Sequence, residues 1–182
     1  PSGKLPVTFY KSVNDLPTFT DYNMDNRTYK YFKGDVLYPF GHGLSYTQFE
    51  YSDLQLPENI NPGESVTVSV TVKNTGAMAG EDVVQLYLTD SGENEASPIR
   101  ALKRFARVSL EPGASETVSF TLSPKEYASI QMDGTVLIQP GTLAISVGGK
   151  QPGFSGNADA GSTQLVSGKI QIGGEAMELA MN

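Results

Sequence analysis

The sequence has no cysteine and no tryptophan, and only one histidine. Without cysteine there is no disulfide framework and no thiolate zinc site. With His42 as the sole histidine, any Ser-His-Asp arrangement must be built on it. Ser45 lies nearby, but Gly41-His-Gly-Leu-Ser45 is not a nucleophile elbow, which sets serine between glycines after a strand. Without tryptophan the best platform for stacking a sugar ring is missing. No apolar run approaches the roughly 20 residues that span a bilayer. Basic residues are scarce, with Lys+Arg 13 against Asp+Glu 20 and a net charge of −7. There is no basic stripe, which argues against nucleic acid and anionic membrane as partners. The chain opens on Pro1 rather than Met and shows no signal-peptide pattern. The expected location is periplasmic or secreted, with which the lack of cysteine is compatible, and any export signal would lie in sequence outside this chain.

What is present is mostly β pattern. The 182 residues give room for one domain plus an extension, and a chain this long buries roughly 70% of its unfolded surface. Val66, Val68, Val70 and Val72 alternate with Thr67, Ser69 and Thr71, the period of a half-buried strand. Val118, Phe120 and Leu122 alternate with Thr117, Ser119 and Thr121, and Leu143, Ile145 and Val147 alternate with Ala144 and Ser146. Val83 to Thr89 is more continuously apolar, as a central strand should be. Phe105 to Leu110 and Leu165 to Ile172 complete the set. Asn61-Pro-Gly63, Asn74-Thr-Gly76, Glu111-Pro-Gly113, Asp133-Gly134 and Gln139-Pro-Gly141 separate the runs as turns. A short helix is expected over Pro124–Ile130, opened by its proline. The fold class is therefore all-β: an antiparallel immunoglobulin or fibronectin type III-like sandwich of about seven strands between Phe49 and Ile172, with an irregular N-terminal extension. Val68, Val70, Val72, Leu86, Leu88, Phe120, Leu122, Ile145 and Val147 should be buried.

The extension reads differently. Leu5 to Phe9 is a short extended run, and Asn14 to Met24 is loop. Arg27–Phe32 and Val36–Phe40 are expected to pair as a hairpin across Lys33-Gly-Asp35. Many aromatics sit here without enough regular structure to form a core, so Tyr29, Tyr31, Tyr38 and Phe40 need another surface. The extension should fold back on its own sandwich, associate with a second copy, or be mobile. Gly41 to Thr47 should be ordered, with Leu44 and Tyr46 anchored on the end of the first strand. Asn94–Arg100 and Ser155–Thr163 read as exposed loops.

Candidate chemistry is thin. Retaining glycosidases hold two carboxyl groups about 5–5.5 Å apart, and nothing in the sequence sets one of the 20 acidic residues opposite another. His42 is expected as a hydrogen-bonding residue at the domain junction rather than a base. Asn157-Ala-Asp159-Ala-Gly161 and the acidic stretch Asp90–Glu95 lack EF-hand spacing and its terminal glutamate. Tyr51, Tyr87 and Tyr127 are the candidate sugar platforms, with Tyr87 facing outward or lying under a neighbouring domain. Asn26-Arg-Thr28 matches a glycosylation sequon. No catalytic, cofactor-binding or metal-ligating residue is assigned.

The stretch Tyr38-Pro-Phe-Gly-His-Gly-Leu-Ser-Tyr-Thr-Gln-Phe49 resembles a signature of glycoside hydrolase family 3, the β-glucosidase and β-xylosidase family. Pro1–Phe9 is similar to the end of that family's α/β sandwich domain, and Asn26-Arg-Thr-Tyr-Lys-Tyr-Phe32 to the run that precedes the signature. Val70-Thr-Val-Lys-Asn-Thr-Gly76, Gly80-Glu-Asp-Val-Val-Gln-Leu-Tyr87, Pro98-Ile-Arg-Ala-Leu-Lys-Arg-Phe105 and Leu110-Glu-Pro-Gly113 resemble its fibronectin-like domain. Gly80-Glu-Asp82 stands where Gly-Asp-Glu is usual. After Gly148 the resemblance thins. It implies a tail of the α/β domain and linker over 1–47, a fibronectin type III-like sandwich over 48–175 and a C-terminal tail over 176–182. It also implies upstream catalytic domains of the same polypeptide as partners, with the nucleophile and acid outside this chain. This chain would then be a non-catalytic accessory part of a retaining β-glycosidase. The alternative is a free-standing carbohydrate-binding or adhesion module, which has no reason to carry the aromatic extension before Tyr46.

Overall fold

The computed structural model describes residues 1–89, 97–131, 133–153 and 164–180. The expected loop Ser155–Thr163 falls outside them, as do the Asp90–Glu95 and Asn157–Gly161 stretches; of the expected loop Asn94–Arg100 residues 97–100 are described, and Arg100 already opens a strand.

Strands β1 (Phe9–Tyr10) and β2 (Val36–Tyr38) form a small sheet in the extension. The sandwich follows with β3 (Phe49–Gln55), β4 (Asn59–Ile60), β5 (Val66–Asn74), β6 (Gly80–Thr89), β7 (Arg100–Leu110) and β8 (Ser115–Leu122). After helix α2 (Pro124–Tyr127) come β9 (Ser129–Ile130), β10 (Val136–Ile138), β11 (Gly141–Gly148), β12 (Leu165–Ile172) and β13 (Met177–Leu179). One sheet has the order β3-β5-β8 and the other β4-β12-β11-β6-β7. All pairings are antiparallel apart from the short β4 with β12.

Register follows from side-chain alternation. Between β5 and β8, Val66 faces Leu122, Val68 faces Phe120 and Val70 faces Val118, while Thr67–Thr121, Ser69–Ser119 and Thr71–Thr117 occupy the other face. A one-residue slip would put every valine in water, so this register is strongly fixed. All nine residues expected in the core are buried. Gly63 and Gly113 take φ of 91° and 78° after proline, closing the Asn61 and Glu111 turns in the left-handed region open to glycine.

Three expectations are corrected. Arg27–Phe32 and Val36–Phe40 do not pair. Thr28–Tyr31 is a helical turn, α1, and β2 pairs instead with β1, Phe9 against Tyr38. Asn26 and Thr28 have φ of 52° and 54°, which turns the chain before a strand can form. Phe32 is buried edge-on against Tyr10. The helix at Pro124 is one turn held by a Ser123–Glu126 capping box, and Ser129–Ile130 leaves it as β9. Leu44 and Tyr46 do not anchor the linker, being 63% and 81% exposed. Within the expected tail over 176–182, Met177–Leu179 form β13, which pairs with β10.

Of the outcomes open to the extension, the structure shows folding back. It lies on the outer face of the five-stranded sheet. Tyr29 stacks on Phe40 at 4.0 Å and meets Tyr87 edge-on. The Leu102 amide donates to the Tyr29 hydroxyl, and Ile99 N–H to the Lys30 carbonyl. One region stays open: Phe19 and Tyr22 are 92% and 88% exposed, with Val13 beside them in sequence similarly bare.

Candidate functional site at the junction of extension and sandwich

Strand β6 builds the junction because it carries useful side chains on both faces. Val84, Leu86 and Leu88 enter the sandwich core, while Gln85 and Tyr87 point the other way and are still buried. The Gln85 amide donates to the carbonyls of Gly41 and Gly149, each at 3.1 Å, and its oxygen accepts from the Tyr87 hydroxyl at 2.5 Å. Gly41 has φ of 77° and lies so close that a Cβ would overlap the Gln85 amide and the Tyr87 hydroxyl. Only glycine satisfies both demands. Leu5 exchanges backbone hydrogen bonds with this corner: its N–H donates to the His42 carbonyl and its carbonyl accepts from Gly41 N–H, both at 2.8 Å.

A buried charge cluster ties the same region to the second sheet. Lys4 Nζ lies 2.7 Å from Asp82 Oδ1 and donates to the Gly149 carbonyl at 3.0 Å. Tyr51, on β3, donates to Asp82 Oδ2 at 2.6 Å, and Val83 N–H donates to Oδ1. Asp82 is 3% exposed, so its desolvation is offset by an opposite charge and two neutral donors. Burial, then the Asp82 carboxylate, pushes the Tyr51 phenol far above its ordinary value. Burial likewise raises Tyr87 and Tyr29. These phenols stay protonated.

His42 is buried at the junction, where its carbonyl accepts from Leu5 N–H. Its Nδ1 meets no partner, and its ring stacks on Tyr38 at 5.3 Å. Burial first, then the charges of Lys4 and Lys150, hold it below the ordinary imidazole value. Ser45 does not serve it; the Ser45 hydroxyl accepts from Thr47 N–H. Thr47 in turn donates to Asn74 Oδ1 at 2.6 Å, and the Asn74 amide spans the carbonyls of Met78 and Leu110. This is what orders the linker in place of Leu44 and Tyr46.

The sugar-platform candidates separate. Tyr51 and Tyr87 are buried and offer no face. Tyr127 packs against the core, its hydroxyl donating to the Glu64 carbonyl. Asn26 of the sequon accepts from Lys33 N–H. Among the described residues no three carboxylate or imidazole side chains converge on a metal position. The Lys4–Asp82–Tyr51 cluster was not anticipated. Its signal was an acid at an inward position of a strand whose next inward residues are Val84, Leu86 and Leu88.

Comparison with known proteins places this architecture. Residues 1–46 match the glycosyl hydrolase family 3 C-terminal domain, and residues 82–151 match a fibronectin type III-like domain. The chain thus belongs to glycoside hydrolase family 3, whose C-terminal region it represents: the end of one domain followed by the fibronectin-like sandwich. A beta-xylosidase of Formosa agariphila is 37% identical over 154 residues, covering 81% of this chain and 21% of that protein. Thermostable beta-glucosidase B of Acetivibrio thermocellus is 41% identical over 142 residues, covering 70% of this chain and 19% of its own length. Beta-glucosidase 3B from Thermotoga neapolitana superposes with a TM-score of 0.81 at 31% identity, over 98% of this chain and 25% of that structure. The chain spans about a fifth of the length of the curated relatives it matches.

Proposed function

We propose that this chain acts as the non-catalytic C-terminal accessory region of a retaining β-glycosidase acting on β-linked glucosides or xylosides. Its task is to stabilise catalytic domains that precede it in one polypeptide. The observation that carries this reading is the junction. The segment matching the C-terminal domain is fixed to the sandwich through Lys4–Asp82–Tyr51 and Gln85–Gly41, yet its other side leaves Val13, Phe19 and Tyr22 bare. Apolar surface in water costs about 25 cal/mol for each Å², so an open face on a rigidly held segment suits a covering partner. We place the division between domain tail and sandwich at residues 47 and 48, beside the Thr47–Asn74 hydrogen bond.

The test compares a polypeptide carrying the catalytic domains with and without residues 48–182. Loss of the sandwich should lower the midpoint of heat inactivation, with little change in the KM of the surviving enzyme. An unchanged midpoint would refute the stabilising role. The chain alone should not turn over aryl β-glucosides or β-xylosides. Turnover abolished by substituting one of its carboxylates would overturn the non-catalytic assignment.

A further inference from the structure

A cavity of about 570 Å³ lies where β7, β11 and the α2–β9 segment meet. Its size falls within the range of small-molecule sites. Leu88, Leu143 and Ile172, all buried, line its apolar part. The rings of Tyr31 and Tyr127 contribute further walls, and Lys103, Glu126, Gln139 and Thr142 supply polar groups.

The polar groups are unequally occupied. Glu126 already accepts from Arg104 at 2.7 Å and from the Ser123 N–H and hydroxyl at 2.8 and 2.9 Å. Thr142 donates to Gln171. Lys103 is half-buried in the cavity wall. Burial, then repulsion by Lys30, lowers its pKa, while Glu126 raises it. Lys103 is therefore a donor held in the wall of a partly apolar cavity and open to an acceptor from outside the chain.

These features narrow the ligand. A cation would meet Lys103 and nearby Lys30, and Glu126, paired with Arg104, offers an incoming ligand no free charge. A wholly apolar molecule would remove water from Lys103 and return nothing. A neutral polyhydroxylated ring suits all three constraints: its C–H face lies on apolar walls, and its hydroxyls accept from ammonium and amide groups. We propose that this cavity binds a short neutral β-linked oligosaccharide, with Lys103 donating to a sugar hydroxyl and Gln139 to a second. This inference deepens the glycosidase reading and rests on it for the choice of linkage. It makes the sandwich a sugar-holding module as well as a brace.

The experiment is a ¹⁵N NMR titration of this chain with xylotriose and, separately, cellotriose, with glycerol as control. At least one trisaccharide should shift amides near Ala101, Lys103, Ile130 and Thr142, with a Kd in the millimolar range. Lys103→Met keeps the aliphatic stem and removes the donor. It should weaken binding about fivefold, the loss of roughly one hydrogen bond, with the rest of the spectrum unchanged. Gln139→Ala should weaken binding by a similar factor and serves as the second variant if Lys103→Met perturbs the fold. The proposal is overturned by no shifts with either trisaccharide, by shifts centred elsewhere such as Phe19 and Tyr22, by equal shifts with glycerol, or by affinity indifferent to both substitutions. None of these results bears on heat inactivation of the longer polypeptide, so the stabilising role and the sugar site stand or fall separately.

Discussion

The side-chain amide of Gln85 donates to the Gly41 carbonyl at 3.1 Å, across a junction whose two halves are 44 residues apart in sequence. That bond, repeated to Gly149, makes an outward-facing position of β6 part of an interior. The expected consequences are measurable.

Gly41→Ala should be among the most damaging single-methyl additions in this chain. The residue has φ of 77°, a conformation costing a side chain roughly 1–2 kcal/mol, and the new Cβ would overlap the Gln85 amide. Urea unfolding should show a loss above about 2 kcal/mol, since overpacking adds to the backbone cost. A midpoint within error of the parent would show that the corner relaxes freely.

Removing Asp82 should cost more than removing either partner. Asp82→Ala leaves a largely buried ammonium without its counter-charge and a buried phenol without its acceptor, a loss of about 3–5 kcal/mol. Tyr51→Phe should cost about 1–3 kcal/mol, since the carboxylate loses one donor of three. A double-mutant cycle between Lys4 and Tyr51 should give a coupling energy clearly different from zero, because both act on one carboxylate. Simple additivity would mean that they act independently.

Stability should fall as acid is added through the histidine range. Folded His42 has its pKa lowered by burial, Lys4 and Lys150, while the unfolded chain titrates near 6.5. Below that value the unfolded state binds more protons than the folded one, so unfolding becomes easier as pH drops. The contribution of His42 is full above about 6.5 and is lost as pH falls towards its lowered folded value. His42→Phe should flatten this part of the urea midpoint against pH curve. A curve unaltered by that substitution would assign the slope to carboxylates.

The two faces of β5 should respond unequally. Val70→Ala opens a cavity in the core and should destabilise by about 1–3 kcal/mol. Thr67→Ala, on the exposed face opposite Thr121, should stay within about 0.5 kcal/mol. Comparable losses at the two positions would contradict the register.

The sandwich was legible because its strands obey a single rule. In β5 and β8 each valine, phenylalanine or leucine is followed by a hydroxyl residue, apart from Val72 before Lys73, and period two leaves one way to face them. β6 read as continuously apolar for a reason now visible: Val84 and Leu86 meet one interior while Gln85 and Tyr87 meet another. The extension was harder. Tyr29-Lys-Tyr-Phe32 has the composition of a strand, but left-handed Asn26 and Thr28 override propensity, and neither residue announces that conformation. His42 was expected to form hydrogen bonds at the domain junction; its carbonyl does so with Leu5 N–H, while its Nδ1 meets no partner and its ring stacks on Tyr38. The three residues of β13 are too few for any periodicity to register.

The Gly149 carbonyl receives both Lys4 and Gln85, and Lys4 lies 145 residues before it in the chain. A ribosome adding about 5–20 residues per second needs roughly 7–30 s to travel that distance. For part of that interval Tyr29 and Phe40 exist before the β6–β7 surface that Tyr29 will cover. The oldest part of this chain is thus among the last to find its place, and the exposure of its aromatics is timed by translation as well as by stability.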